Sequence, residues 1–236
     1  MRTSLVLALA CCLTACKPDG SSPPIDAEHQ HSLELLESPE RNAWAKPDEV
    51  VAALPLTRPD MDVADIGAGS GYFTRRIARR VPDGTVFAVD VDGTYKHYIK
   101  DHCEQWGTPN IETRLALYEN PLLPQDSLDL VFLSNTYRYI QQRTQYFGGV
   151  NASLRSGGKL VIVDFDAARD CSPIGEDCPP KEQRITAEAV ESELREAGFV
   201  LESRADFLPY QYMLVFARQA DASNHDATGE SESGSK

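Results

Sequence analysis

Met61–Arg80 reads MDVADIGAGSGYFTRRIARR. A short apolar run, Val63, Ala64 and Ile66, is interrupted by Asp65 and enters the turn Gly67-Ala68-Gly69-Ser70-Gly71. Beyond the turn, Phe73, Ile77 and Val81 recur at i, i+4 and i+8, the spacing of one helical face. Strand, glycine turn and helix in that order open a doubly wound α/β domain, whose ligands sit beyond the carboxyl ends of parallel strands. Glycine suits such a turn for two reasons. It takes positive φ without penalty, and it lets backbone N–H groups approach a ligand that a Cβ would hold away.

The turn narrows the ligand. A dinucleotide fingerprint, G-x-G-x-x-G, needs glycine where Tyr72 stands. Asp65, two residues before the first glycine, also sits badly beside a doubly charged pyrophosphate. A cationic ligand reverses that sign, so a nicotinamide-dependent oxidoreductase is the disfavoured reading. About twenty residues after the turn, the run from Thr85 ends in Asp90, where a carboxylate can accept from both ribose hydroxyls. The bland account of Asp90 is a cap or turn residue. Asp92, nearer the next helical stretch, is the better cap.

VADIGAGSG at 63–71 closely resembles motif I of the class I S-adenosylmethionine-dependent methyltransferases. AVD ending at Asp90, DSLDLVFLSN at 126–135, LRSGGKLVIVDF at 154–165 and ITAEAVESELREAGF at 185–199 extend the likeness over residues about 38–218. The resemblance implies a Rossmann-like α/β fold, doubly wound, with a mainly parallel seven-stranded sheet closed by a C-terminal antiparallel hairpin. It implies S-adenosyl-L-methionine as cofactor, with Asp65, Gly67, Ala68, Gly69 and Gly71 around the methionine and sulfonium. Asp90 would hold the ribose, Glu119 or Asn120 the adenine amine, and Asn135 would line the donor pocket. The family's common Gly-Asp pair near the adenine loop is replaced here by Ala116 and Leu117, and a histidine found in some relatives is replaced by Arg138. The general base is therefore unassigned, with Tyr137 and Arg138 as catalytic candidates, and no metal site is assigned.

At 236 residues the chain suits one domain with short extensions. A formal charge of −13 argues against a nucleic-acid track or an anionic membrane surface as the main partner, and leaves a small-molecule acceptor. Arg2, the apolar Leu5–Leu13 and the tetrapeptide Leu13-Thr14-Ala15-Cys16 read as a bacterial lipoprotein signal peptide over residues 1–15. Cys16 would carry the lipid, residues 16–31 would form a tether, 32–219 the methyltransferase-like domain and 220–236 a disordered tail. The expected location is the cell envelope, facing the periplasm or exterior and held to the membrane by the lipid anchor only. A misassigned leader would instead leave a cytoplasmic enzyme. Because S-adenosylmethionine is made in the cytoplasm, a catalytically silent lipoprotein that binds a nucleoside-like ligand or a protein partner stands as the alternative.

Three further expectations concern single residues. Cys171 and Cys178 flank SPIGED and would close it as a disulfide in an oxidising compartment, leaving Cys103 over as a buried thiol. His29 and His31 read as solvated linker residues. The stretch Pro39–Pro47, with Arg41 and Trp44, reads either as a lid over the cofactor crevice or as edge packing.

Overall fold

The computed structural model describes residues 22–219 and 221. The leader, Cys16 and most of the proposed tail lie outside the described residues. At the centre is β1 (Val63–Ile66), parallel to β2 (Val86–Asp90) on one side and to β4 (Leu128–Ser134) on the other. All four residues of β1 are buried, because helices cover both faces of the sheet. β3 (Ile111–Leu115) extends one edge, and β5 (Leu154–Phe165) lies beyond β4. The hairpin of β6 (Phe199–Ala205) and β7 (Gln211–Arg218) completes the sheet in the order β3-β2-β1-β4-β5-β7-β6, with β7 antiparallel to both its neighbours. The expected seven-stranded, mainly parallel sheet is present. Its direction of winding reverses between β1 and β4, so a crevice opens at their carboxyl ends.

Strand alternation divides the core. From β4, Leu130 and Phe132 face α3 (Pro47–Ala53), α4 (Thr74–Arg80) and α5 (Gly93–His102). Val131 and Leu133 face α6 (Arg143–Ser153) and α7 (Ala187–Glu196). Thr186 caps α7, accepting from the Ala189 N–H at 3.2 Å. The Arg155–Lys159 stretch belongs to β5. Its register jumps from Leu128↔Leu154 to Leu130↔Lys159, and Gly157 at φ 78° turns the bulge.

The amino-terminal side differs more. α1 (Ala27–Leu36) begins inside the stretch read as tether, capped by Asp26 and burying Leu33. His29 is no solvated linker residue: its ring nitrogens lie 2.8 Å from Asp26 Oδ1 and 2.8 Å from Asp92 Oδ2. Hydrogen bonds to Asp92 and then Asp26 raise its pKa to about 9, so near neutrality it is a cation between two carboxylates. Asp92 also caps α5 by accepting from the Thr94 N–H, which ties α1 to the start of that helix. The Cys171–Cys178 disulfide is formed. Cys103 is fully buried. Among the described residues no helix is long and apolar enough to cross a membrane.

Candidate active site

A cleft of about 580 Å³ lies at the carboxyl ends of β1, β2 and β4. Its floor is the glycine turn. Gly67, Gly69 and Gly71 have φ of 73°, 53° and 78°, values that L-side chains rarely adopt. The turn's donors are mostly spent on its own shape: Gly67 and Ala68 donate to the Val89 carbonyl, Gly71 to the Ala68 carbonyl, and Gly69 to Asp90 Oδ2. The glycines thus supply a floor bare of side chains rather than a row of free N–H groups. Gly67, Ala68 and Gly69 line the cleft; Gly71 does not. A Cβ on Gly71 would stand 3.1 Å from Ile99 and Trp106, so this glycine allows close packing of the turn against α5 and the segment after it.

Both expected acids reach the cleft. Asp65 is 1% exposed and accepts from the Thr74 hydroxyl at 2.6 Å; burial pushes its pKa up to about 7. Asp90 closes β2 and takes the Gly69 N–H on Oδ2 at 2.9 Å and the Asp92 N–H on Oδ1 at 3.0 Å. Burial raises its pKa as well, opposed by those two backbone donors. Past Asp90 the wall turns apolar, with Ala116, Leu117, Ile140 and Tyr146.

Other candidates separate. Glu119 is exposed and does not line the cleft, and Asn120 uses its side chain on the Leu122 N–H. Asn135 does line it, at φ 57°, with Oδ1 accepting from Gln211 Nε2 at 2.7 Å. The turn Tyr137–Tyr139 sends neighbours in opposite directions. Tyr137 is fully buried, donates to Glu193 Oε2 at 2.6 Å, and burial and that carboxylate hold its hydroxyl well above the ordinary tyrosine range. It cannot serve as the base. Arg138 faces the cleft and pairs with the buried Asp164 at 2.8 Å, while its Nη2 donates to the Tyr139 hydroxyl at 3.1 Å.

On the opposite wall the sequence reading anticipated Trp44, as lid or as edge packing, but not Glu176 or Asp177. Trp44 is buried there and donates from Nε1 to Asp177 Oδ2 at 3.2 Å; Asp177 and Glu176, inside the disulfide loop, also line the cleft. Two buried hydroxyls on the cleft, Ser70 Oγ and Ser134 Oγ, have no hydrogen-bond partner among the described residues. Orphaned polar atoms, a bare floor and two carboxylates fit a polar, cation-bearing nucleoside, so the residues present suit the family's cofactor.

Fold and cleft together are those of a Rossmann-like α/β domain of the methyltransferase kind. Residues 63–158 match the family described as a methyltransferase domain, and the chain is similar in fold to S-adenosylmethionine-dependent methyltransferases of known structure. It is 25% identical over 167 residues to a malonyl-[acyl-carrier protein] O-methyltransferase of Acetivibrio thermocellus, a match over 63% of this chain and 58% of that one. It is 28% identical over 114 residues to trans-aconitate 2-methyltransferase of Rhizobium rhizogenes, over 48% of this chain and 42% of the relative. The chain thus spans about half the length of the curated relatives it matches. In fold it is similar to a crystallised SAM-dependent methyltransferase from Aquifex aeolicus, with TM-score 0.72, 20% identity, and coverage of 82% of this chain and 98% of that one.

Proposed function

We propose that this protein transfers a methyl group from S-adenosylmethionine to a small or carrier-borne acceptor. The observation that carries the reading is the placement of Asp65 and Asp90 on one cleft, beside a glycine floor that neither side chains nor free donors crowd. When bound, the donor supplies a methyl group on a sulfonium, reactive enough that positioning and exclusion of water account for much of the rate. Asp65, titrating near neutrality, becomes fully ionised when a cation lies beside it. Asp90 orients the ribose, and the apolar wall from Ala116 to Tyr146 takes the base. Asn135, Arg138 and Tyr139 face the space left for the acceptor. Among the described residues no histidine lines the cleft, and burial holds the Tyr146 hydroxyl well above its usual range. An acceptor that arrives already nucleophilic suits these walls. The likeness to enzymes named for trans-aconitate and malonyl-[acyl-carrier protein] supports acceptors of that size.

Isothermal titration calorimetry on the purified protein tests the reading. S-Adenosylmethionine and S-adenosylhomocysteine should give saturable heats and NAD none. Saturable NAD binding with no heat from S-adenosylhomocysteine would reverse the assignment.

We also propose that the protein works in the cell envelope, anchored through Cys16. The Cys171–Cys178 disulfide supports an oxidising compartment. Export would separate the pocket from the cytoplasmic supply of donor, which favours, as a second reading, a silent nucleoside-binding lipoprotein. Palmitate labelling of growing cells should show incorporation into the protein and none into Cys16→Ser. An unlabelled protein that fractionates with cytosol removes both the anchor and the premise of the silent reading.

A further inference from the structure

The loop Ser172–Asp177, closed by the Cys171–Cys178 disulfide, is part of the cleft wall rather than a surface appendage. Glu176 and Asp177 line the cleft, while Ile174 and Cys178 pack against the same core layer as Leu130 and Phe132. Asp177 Oδ2 accepts from Trp44 Nε1 at 3.2 Å, and Trp44 lies on the short helix α2 (Arg41–Ala45). The Trp44 ring in turn packs on Phe165, 5.3 Å between centroids, and both rings line the cleft. Loop and α2 therefore form one wall, joined by that hydrogen bond. A cross-link between residues 171 and 178 removes much of the freedom of the chain between them, and so holds Asp177 where Trp44 can reach it.

The surroundings of the disulfide differ from those of an inert cross-link. Cys171 is fully buried whereas Cys178 is half-buried, so a reductant meets the Cys178 sulfur first. Arg184 Nη1 donates to Cys171 Sγ at 3.3 Å and to the Arg169 carbonyl at 2.6 Å. Asp170 also feels the charge of Arg184, but its oxygens are taken by the Ser172 N–H and hydroxyl at 3.0 Å each. A guanidinium beside a sulfur favours the thiolate, which makes Cys171 the better leaving group when Cys178 is attacked. The attacking thiolate of a dithiol forms an S–S bond to Cys178 Sγ, breaks the Cys171–Cys178 bond and sends its electron pair to Cys171 Sγ. The second sulfur of the dithiol then displaces Cys178. The dithiol leaves as a disulfide, and its two electrons and two protons pass to the cysteine pair.

We propose that the Cys171–Cys178 pair is a redox switch on the cleft. Oxidised, it holds Asp177 against Trp44 and keeps the wall firm; reduced by a dithiol, it frees the loop, parts that bond and lowers ligand affinity. A chain in a reducing compartment then carries a loose cleft, and a chain in an oxidising compartment a firm one. Trp44 is neither a detached lid nor mere edge packing, since the oxidation state of the loop sets its position. The binding readout rests on the donor reading above.

A coupling cycle on the whole protein tests the switch. Cys171→Ser/Cys178→Ser and Asp177→Ala should each weaken S-adenosylhomocysteine by about threefold to tenfold in calorimetry, the share of one hydrogen bond. Combined, they should cost no more than either alone, because both part the same contact. Losses that multiply would overturn the proposal, since the disulfide would then act on the fold and not through Asp177. Unchanged affinity in Cys171→Ser/Cys178→Ser would overturn it too. A second measurement keeps the native cysteines and needs no ligand. As dithiothreitol opens the pair, followed by alkylation and mass spectrometry of Cys171 and Cys178, backbone hydrogen exchange in α2 should quicken in step. Arg184→Gln should slow that opening by about threefold or more. Exchange in α2 that ignores the state of the pair, or a pair that opens as fast in Arg184→Gln as in wild type, would sink the switch. If α2 follows the pair but oxidised wild type binds no S-adenosylhomocysteine, the donor reading fails and the switch stands.

Discussion

Gly67→Ala is expected to destabilise the fold by about 2–5 kcal/mol and to lower the melting temperature by about 5–15 °C, read by differential scanning calorimetry. Two costs combine. At φ 73° an alanine occupies the left-handed region, a penalty of about 1–2 kcal/mol. The new Cβ would also stand 2.2 Å from Thr136 Oγ1 and 2.6 Å from Thr136 Cγ2. Rotating Thr136 is an incomplete escape, because its own Cβ lies 2.9 Å away and its hydroxyl donates to the Ser134 carbonyl at 3.0 Å. Overpacking of this kind costs about 1–3 kcal/mol. Gly69→Ala is the internal control: φ is 53°, but the added atom meets only Leu36 Cδ1 at 3.3 Å, so the strain comes with little collision. The double variant Gly67→Ala/Thr136→Ala should recover part of the loss. If Gly67→Ala melts with Gly69→Ala, the close approach of the turn to the segment after β4 is not what the fold requires of this glycine.

That contrast shows what was legible in the sequence and what was not. β1, the turn and α4 follow from Met61–Arg80 because apolar alternation, glycine and a helical period are local signals. Asp90 follows in the same way, at the end of a buried run, whereas the final hairpin came from the family resemblance, its edge strand β6 being largely exposed. Residues 22–45 resisted, since their structure is held by distant partners. His29 meets Asp92 across 63 positions, Glu37 meets Arg75 across 38, and Trp44 meets Asp177 across 133. With weak periodicity of its own, α1 forms where those contacts place it. Tyr137 and Arg138 were indistinguishable as neighbours in the chain; a single turn of 3₁₀ helix sends one into the core and the other to the cleft. Sequence likewise placed Gly71 in the cofactor cradle, where the fold uses it to pack against Ile99 and Trp106.

Asp90→Ala is expected to weaken S-adenosylhomocysteine by about tenfold or more, since each hydrogen bond to a charged carboxylate contributes about 1.5–3 kcal/mol. Loss of affinity alone would be ambiguous, because Asp90 has two duties. Each of its oxygens already accepts a backbone N–H, from Gly69 and Asp92, so the substitution also loosens the turn. A carboxylate offers about four lone-pair sites, which leaves room for ribose hydroxyls beside those two N–H groups. A thermodynamic cycle separates the duties. Removing the 2′-hydroxyl from the ligand should weaken binding to wild type and cost nothing further in Asp90→Ala. Equal losses in both proteins would mean that Asp90 serves the turn only and that the ribose contact is not made. Acid should act in the same direction as the substitution. Burial raises the Asp90 pKa, so on acidification its proton returns sooner than to an ordinary aspartate, and donor affinity should decline as the pH falls through that range. The slope should shrink in Asp90→Ala, leaving the share due to Asp65, whose pKa burial pushes up to about 7. Two carboxylates on one cleft thus both act on the pH dependence, and the substitution separates the share that belongs to the ribose contact.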